Sequence, residues 1–137
     1  MDPDRYQRPA SVDANFRRPI KGNEGPDGHA IERHVGKTKE ELADRLRTEP
    51  KISASSCFPD EETVDAVAYG ALKQNEQRVL KWLQDPNRGE ITLPYAGKDV
   101  IGISVRKNGT VVDRTNAIVH LRKDGRGGFC YLTAYPN

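Results

Sequence analysis

Apolar positions along the chain change their spacing once. From Gly28 to about Leu83 they recur at intervals of three and four, and after Gly89 at intervals of two, the periods of one helix face and one strand face. DGHAIERHVG predicts a short helix with Asp27 as N-cap and Gly36 as C-cap, and with Ile31, His34 and Val35 on one face. TKEELADRLR follows, with Thr38 and Glu41 in capping-box spacing and Leu42 one turn before Leu46. Arg45 borders that stripe. PDEETVDAVAYGALKQNEQRVLKWLQDP begins with an acidic first turn and carries two stripes. One comprises Val64, Val67, Ala68, Ala71 and Leu72, the other Val79, Leu80, Trp82 and Leu83, with a break expected at Gln74-Asn75-Glu76.

The second half predicts strands in ITLPY, DVIGISVRKNGTVVDR, NAIVHLRK and GGFCYLTAYP. Asn108-Gly109 signals a two-residue hairpin, and KDGRGG joins the last two strands. Strict alternation in FCYLTAYPN puts Phe129, Tyr131, Thr133 and Tyr135 on one face and Cys130, Leu132 and Ala134 on the other, the expected core side. Residues 28 to about 84 are therefore expected to be mainly helical and 91–136 mainly antiparallel sheet. The fold class is α+β, with N-terminal helices packed on one side of a C-terminal antiparallel β-sheet. Residues 1–27 are polar, interrupted by proline and without periodicity, which reads as a linker or irregular arm preceding a domain over 28–137.

Length and composition narrow the class. A chain of 137 residues, 35% hydrophobic and 31% charged, is one domain able to bury a core without metal or disulfide staples. No apolar run approaches the ~20 residues of a membrane span. MDPDRYQRPASVDANFRRP lacks the apolar centre of a secretory signal, so export is expected to depend on something outside this sequence. Cys57 and Cys130 are the only cysteines; neither has metal-ligand spacing, and both are expected as free thiols in apolar surroundings. Net charge is only +2, yet from Pro86 onward eight Lys and Arg face four Asp and Glu. A modestly basic C-terminal half fits a polyanion or a solvated sheet face.

Candidate chemistry centres on few residues. His29 and His34 are five apart, about 140° round a helix at ~100° per residue, so they do not form an H-E-x-x-H type metal pair. His34, on an apolar face, is either a structural histidine bonded to a carbonyl or a proton-transfer group. Two short helices joined through Gly36-Lys37 would bring Arg45 beside it as a fixed cation for phosphate oxygens. Thr133 and Tyr135 offer hydroxyls to a phosphate or base edge, and Tyr131 and Tyr135 offer rings for stacking. His120 shares a strand face with Asn116, Ile118 and Arg122, from which it would flank such a site or serve the surface.

Four fragments in order, GHAIERHVGKTKEELADRLR, SASSCFPDEET at a helix start, KQNEQRVLKWL and terminal YLTAYP, resemble the ribonuclease A-like C-terminal toxin domains of bacterial contact-dependent growth inhibition and related polymorphic toxins. The similarity spans roughly Gly28 to Pro136. It implies a ribonuclease A-like fold without that enzyme's disulfides, and a site made of His34, Arg45, Thr133 and Tyr135. It further implies a toxin endoribonuclease that needs no metal or cofactor and cleaves RNA through the 2′-hydroxyl to a 2′,3′-cyclic phosphate. Substrate contacts fall to Tyr131, His120 and Lys37. The implied partners are RNA and a cognate immunity protein, the domain being monomeric outside that complex. Delivery from a larger secreted or surface polypeptide into the target-cell cytoplasm is the implied setting. A non-catalytic RNA-binding module and a protein-interaction domain remain the alternatives from the residues alone.

Overall fold

A computed structural model of the chain describes residues 20–25, 28 and 30–137. The Asp27 cap and His29 lie outside them. Four helices and six strands occur among the described residues. In order these are α1 (Ala30–His34), α2 (Lys39–Thr48), β1 (Ala54–Cys57), α3 (Glu61–Gln74), α4 (Glu76–Gln84), β2 (Glu90–Tyr95), β3 (Gly102–Arg106), β4 (Val111–Arg114), β5 (Ala117–Lys123) and β6 (Phe129–Pro136). The class is α+β, as expected. None of the described helices is long and apolar enough to cross a membrane.

Local signals set most boundaries. Gly36, at φ +70°, follows α1 in the left-handed conformation that closes helices. Thr38 and Glu41 form both bonds of the capping box at the start of α2. Asp60 accepts from the Thr63 N–H at 2.8 Å and starts α3. Asn75 separates α3 from α4, its amide donating to the Ala71 and Pro94 carbonyls. Pro94 is tolerated because β2 is an edge strand.

The sheet differs from the single one expected. Two three-stranded antiparallel sheets form, ordered β1-β3-β4 and β2-β5-β6. The unpredicted member is β1, whose sequence ASSC carries no apolar alternation; Ser55 and Ser56 are nevertheless buried, because β3 pairs along its length. The β3–β4 hairpin also departs from expectation. Arg106 N–H bonds the Thr110 carbonyl and Gly109 N–H bonds the Arg106 carbonyl, giving a three-residue loop with Gly109 alone at positive φ (+88°). A two-residue type I′ turn would need Asn108 at positive φ as well.

Each sheet has its own helical cover. Val64, Val67, Ala68, Leu72, Val79 and Trp82 pack with Ile91, Leu93, Val119, Leu121, Phe129 and Tyr131 in the main core. Leu42 and Leu46 of α2 meet Cys57 and Val105 in a smaller one. Ile20 is fully buried in the main core, the Asn23 carbonyl accepts from the Tyr131 N–H and the Gly25 N–H donates to the Tyr131 carbonyl, so the described part of the N-terminal segment lies against β6. The sheets adjoin where Gly102 meets Pro136: a Cβ there would stand 2.5 Å from the Cys57 carbonyl and from Pro136 Cγ.

Alternation along β6 is broken once. Leu121 pairs with Tyr131, but the preceding His120 pairs with Thr133, which leaves Leu132 as the extra residue of a β-bulge. Phe129 and Tyr131 consequently point into the core, whereas Thr133 and Tyr135 turn to the opposite face, and Ala134 replaces them inside. The expected shared face of Phe129, Tyr131, Thr133 and Tyr135 is thus corrected. Tyr131 is fully buried, 5.9 Å edge-on from Phe129, so it is a core residue and not a stacking platform.

Both cysteines are free. Cys57 is buried, and burial pushes its thiol pKa up, while Cys130 is half-buried. A thiol reagent on the native protein is expected to label Cys130 first and Cys57 only on denaturation, for two thiols in all. Simultaneous native labelling of both would contradict this packing.

Candidate active site

His34 is the last residue of α1 and is held from two directions by β1 and its extension. Its carbonyl accepts from the Phe58 N–H at 2.7 Å, and its ring Nδ1 lies 2.9 Å from the Ser56 carbonyl. A carbonyl only accepts, so Nδ1 carries the proton in that bond and Nε2 is the basic nitrogen of the neutral ring. The side chain is 6% exposed. Both readings of the sequence therefore apply at once: the histidine is anchored by a carbonyl, and the anchor fixes the tautomer that a proton-transfer group needs.

The open face of the β2-β5-β6 sheet supplies the opposite wall. Thr92, His120 and Thr133 are direct cross-strand neighbours, and the bulge adds Tyr135 beside them. Thr92 Oγ1 lies 2.8 Å from His120 Nδ1, and His120 Nε2 lies 3.5 Å from the Tyr135 hydroxyl. The Tyr135 ring is 5.8 Å from the His120 ring and 5.5 Å from that of His34. Two imidazoles, each positioned through Nδ1, thus meet one tyrosine. Among the described residues Thr133 Oγ1 is buried without a hydrogen-bond partner, a situation that costs about 1–3 kcal/mol and calls for an explanation in a native fold.

Arg45 sits on α2. Its Nε donates to Glu49 Oε2 at 2.9 Å, which leaves its terminal nitrogens for a ligand. That bond, and more weakly the charges of Arg45, Arg33 and His34, hold the Glu49 carboxyl below the usual carboxylate range. Arg33, Lys37 and Arg45 line a cavity of about 400 Å³ with Glu41, Asp44 and Glu49. The structure therefore brings His34, Thr133 and Tyr135 to one place with His120 and buries Tyr131 in the core, whereas Arg45 and Lys37 line a cavity to which none of those four residues contributes. Thr92 is the residue that sequence reasoning missed. Its signal lies only in the register, since it pairs with His120 across 28 positions of sequence.

Behind His34 runs a buried polar chain. Ser56 Oγ and Ser104 Oγ are 2.8 Å apart, and Arg114 Nε donates to Ser104 Oγ at 2.9 Å. Among the described residues no three His, Cys, Asp or Glu side chains gather as a metal site.

The model of the bacterial CdiA-CT RNAse A domain matches residues 28–136. A crystal structure similar to this chain is that of a CdiA-CT/CdiI complex from Y. kristensenii 33638, 34% identical, covering 80% of this chain and 99% of that one, with a TM-score of 0.73. Comparison with curated proteins finds no significant match. With a family match over nearly the whole folded region and a related fold over most of the chain, the protein belongs to the bacterial CdiA-CT RNAse A domain family.

Proposed function

We propose that this domain is a toxin endoribonuclease that cleaves RNA by metal-independent transphosphorylation, with His34 and His120 as its proton-transfer pair. The observation that carries this reading is the convergence of two imidazoles, each hydrogen-bonded through Nδ1, on the Tyr135 ring, with His120 Nε2 also facing its hydroxyl. One imidazole takes the 2′-hydroxyl proton as the 2′-oxygen bonds to phosphorus. The other, protonated, gives its proton to the 5′-oxygen as the P–O5′ bond breaks, leaving a 2′,3′-cyclic phosphate and a 5′-hydroxyl. The terminal N–H groups of Arg45 and the Lys37 ammonium neutralise charge developing on the phosphorane. Tyr135 and Thr133 offer hydroxyls to phosphate oxygens or a base edge, and a ligand oxygen would give the buried Thr133 hydroxyl its missing partner.

By similarity to the CdiA-CT/CdiI complex, a cognate immunity protein binds this domain, which is otherwise a monomer. Its setting is the C-terminal part of a larger secreted or surface polypeptide, acting in the target-cell cytoplasm.

Tyr135→Phe tests the reading, because the ring and its packing stay while the hydroxyl goes. Cleavage is expected to fall about 10²-fold, the lower range for loss of one transition-state donor, with an unchanged urea midpoint. A bell-shaped pH profile should accompany wild-type activity, one limb for each imidazole. A Phe variant cleaving at the wild-type rate would remove Tyr135 from the site.

A further inference from the structure

We infer that the cavity at the β3–β4 hairpin is a second phosphate site, which grips the RNA backbone away from the bond that is cut; this rests on the ribonuclease reading above. The cavity measures about 440 Å³ and is lined by Ser53, Ala54, Arg106, Lys107, Asn108 and Arg114. Half of its lining is cationic and none is acidic. Among the described residues none of the three cations is paired with a carboxylate: Lys107 Nζ donates to the Pro50 carbonyl at 2.6 Å, and Arg114 Nε to Ser104 Oγ. Toward the described residues, Arg106 commits none of its five N–H groups and Arg114 only its Nε. Unpaired guanidinium groups around a concavity suit phosphate, which they bind bidentately.

Its place in the fold ties the cavity to the cleavage site. Ala54 pairs with Arg106 and Ser56 with Ser104, so Arg106 and Ser104 lie on one face of the sheet, and Ser104 joins Arg114 to Ser56. The Ser56 carbonyl in turn anchors His34. Along β1 the cavity therefore lies one strand repeat, about 6.6 Å, from the residue that holds the proposed catalytic histidine. A chain of phosphates running past His34 meets these cations next. An acidic protein surface would also be attracted, but a pocket contiguous with the hydrogen bonds behind His34 favours the polymer that His34 acts on.

The test uses a fluorescent 2′-deoxy 12-mer, which lacks the attacking hydroxyl, with the intact domain and an Arg106→Gln/Lys107→Gln double variant. Both side chains are exposed, and Arg114 is kept because its bond to Ser104 reaches His34. Binding is followed by anisotropy across salt concentrations. The slope of log affinity against log salt is expected to drop by about 1.4, at ~0.7 for each single-strand phosphate no longer neutralised. In parallel, kcat/KM for a 12-mer RNA relative to a dinucleotide is expected to fall about tenfold, or ~1.4 kcal/mol. An unchanged slope overturns the inference and assigns these cations to an acidic partner instead. A wild-type domain that binds the 12-mer but cleaves no RNA defeats the ribonuclease reading alone, since the binding slope still judges the second site.

Discussion

Replacing His34 with alanine is expected to lower kcat/KM for RNA cleavage by about 10²–10⁴-fold, the span of general acid–base contributions. His120→Ala is expected to match it within an order of magnitude, although the sequence singles out His34 far more clearly. The two rings hold equivalent stations, each with Nδ1 committed, one to the Ser56 carbonyl and one to the Thr92 hydroxyl. Combining the substitutions should cost much less than the product of the separate losses, because residues acting as a unit are strongly non-additive. Each single variant should also lose one limb of the pH profile, an effect that a merely structural histidine would not produce. Wild-type cleavage by His120→Ala would leave His34 without its counterpart and shift the second proton to another group.

The largest loss of stability is expected at Tyr131. Truncation of a fully buried aromatic to alanine removes its packing against Phe129 and the core below, which costs about 3–5 kcal/mol. Against a typical total of about 5–15 kcal/mol for a domain, Tyr131→Ala should shift the urea midpoint drastically or prevent folding at 37 °C. Tyr135, four residues away, should behave in the opposite manner, with its Phe variant stable but slow. This contrast tests the bulge at Leu132 directly. A Tyr131→Ala protein that keeps its urea midpoint while losing RNA cleavage would place that ring on the substrate face and contradict the register of β6.

Features that depend on neighbours along the chain are legible in the sequence. The capping box at Thr38, the break at Asn75 and the stripes of α3 and α4 arise from interactions within one or two turns, and they stand where the pattern puts them. Features that depend on a partner strand are not legible in this way. β1 is polar in sequence and buried only because β3 and α2 cover it. The bulge follows from the pairing of β6 with β5, and nothing in FCYLTAYPN alone marks Leu132 as the unpaired residue. With the bulge hidden, Tyr131 and Tyr135 are equivalent by alternation. The same limit applies to the site. His34, Thr133 and Tyr135 emerge through resemblance, whereas the worth of His120 depends on which face of the β2-β5-β6 sheet the helices leave open. Arg45 is expected from sequence as a cation near His34, but its tie to Glu49 depends on the side-chain geometry of α2.

The most direct measurement is the chemistry of the cut ends. Purified wild-type domain is incubated with a defined RNA oligonucleotide in EDTA, and the products are weighed by mass spectrometry. Attack by the 2′-hydroxyl predicts time-dependent fragments ending in a 2′,3′-cyclic phosphate, each matched by a fragment beginning with a 5′-hydroxyl, and none when the RNA is replaced by its 2′-deoxy form. Fragments with 5′-phosphates, cleavage of the 2′-deoxy strand, or activity that vanishes in EDTA and returns with a divalent cation would contradict it.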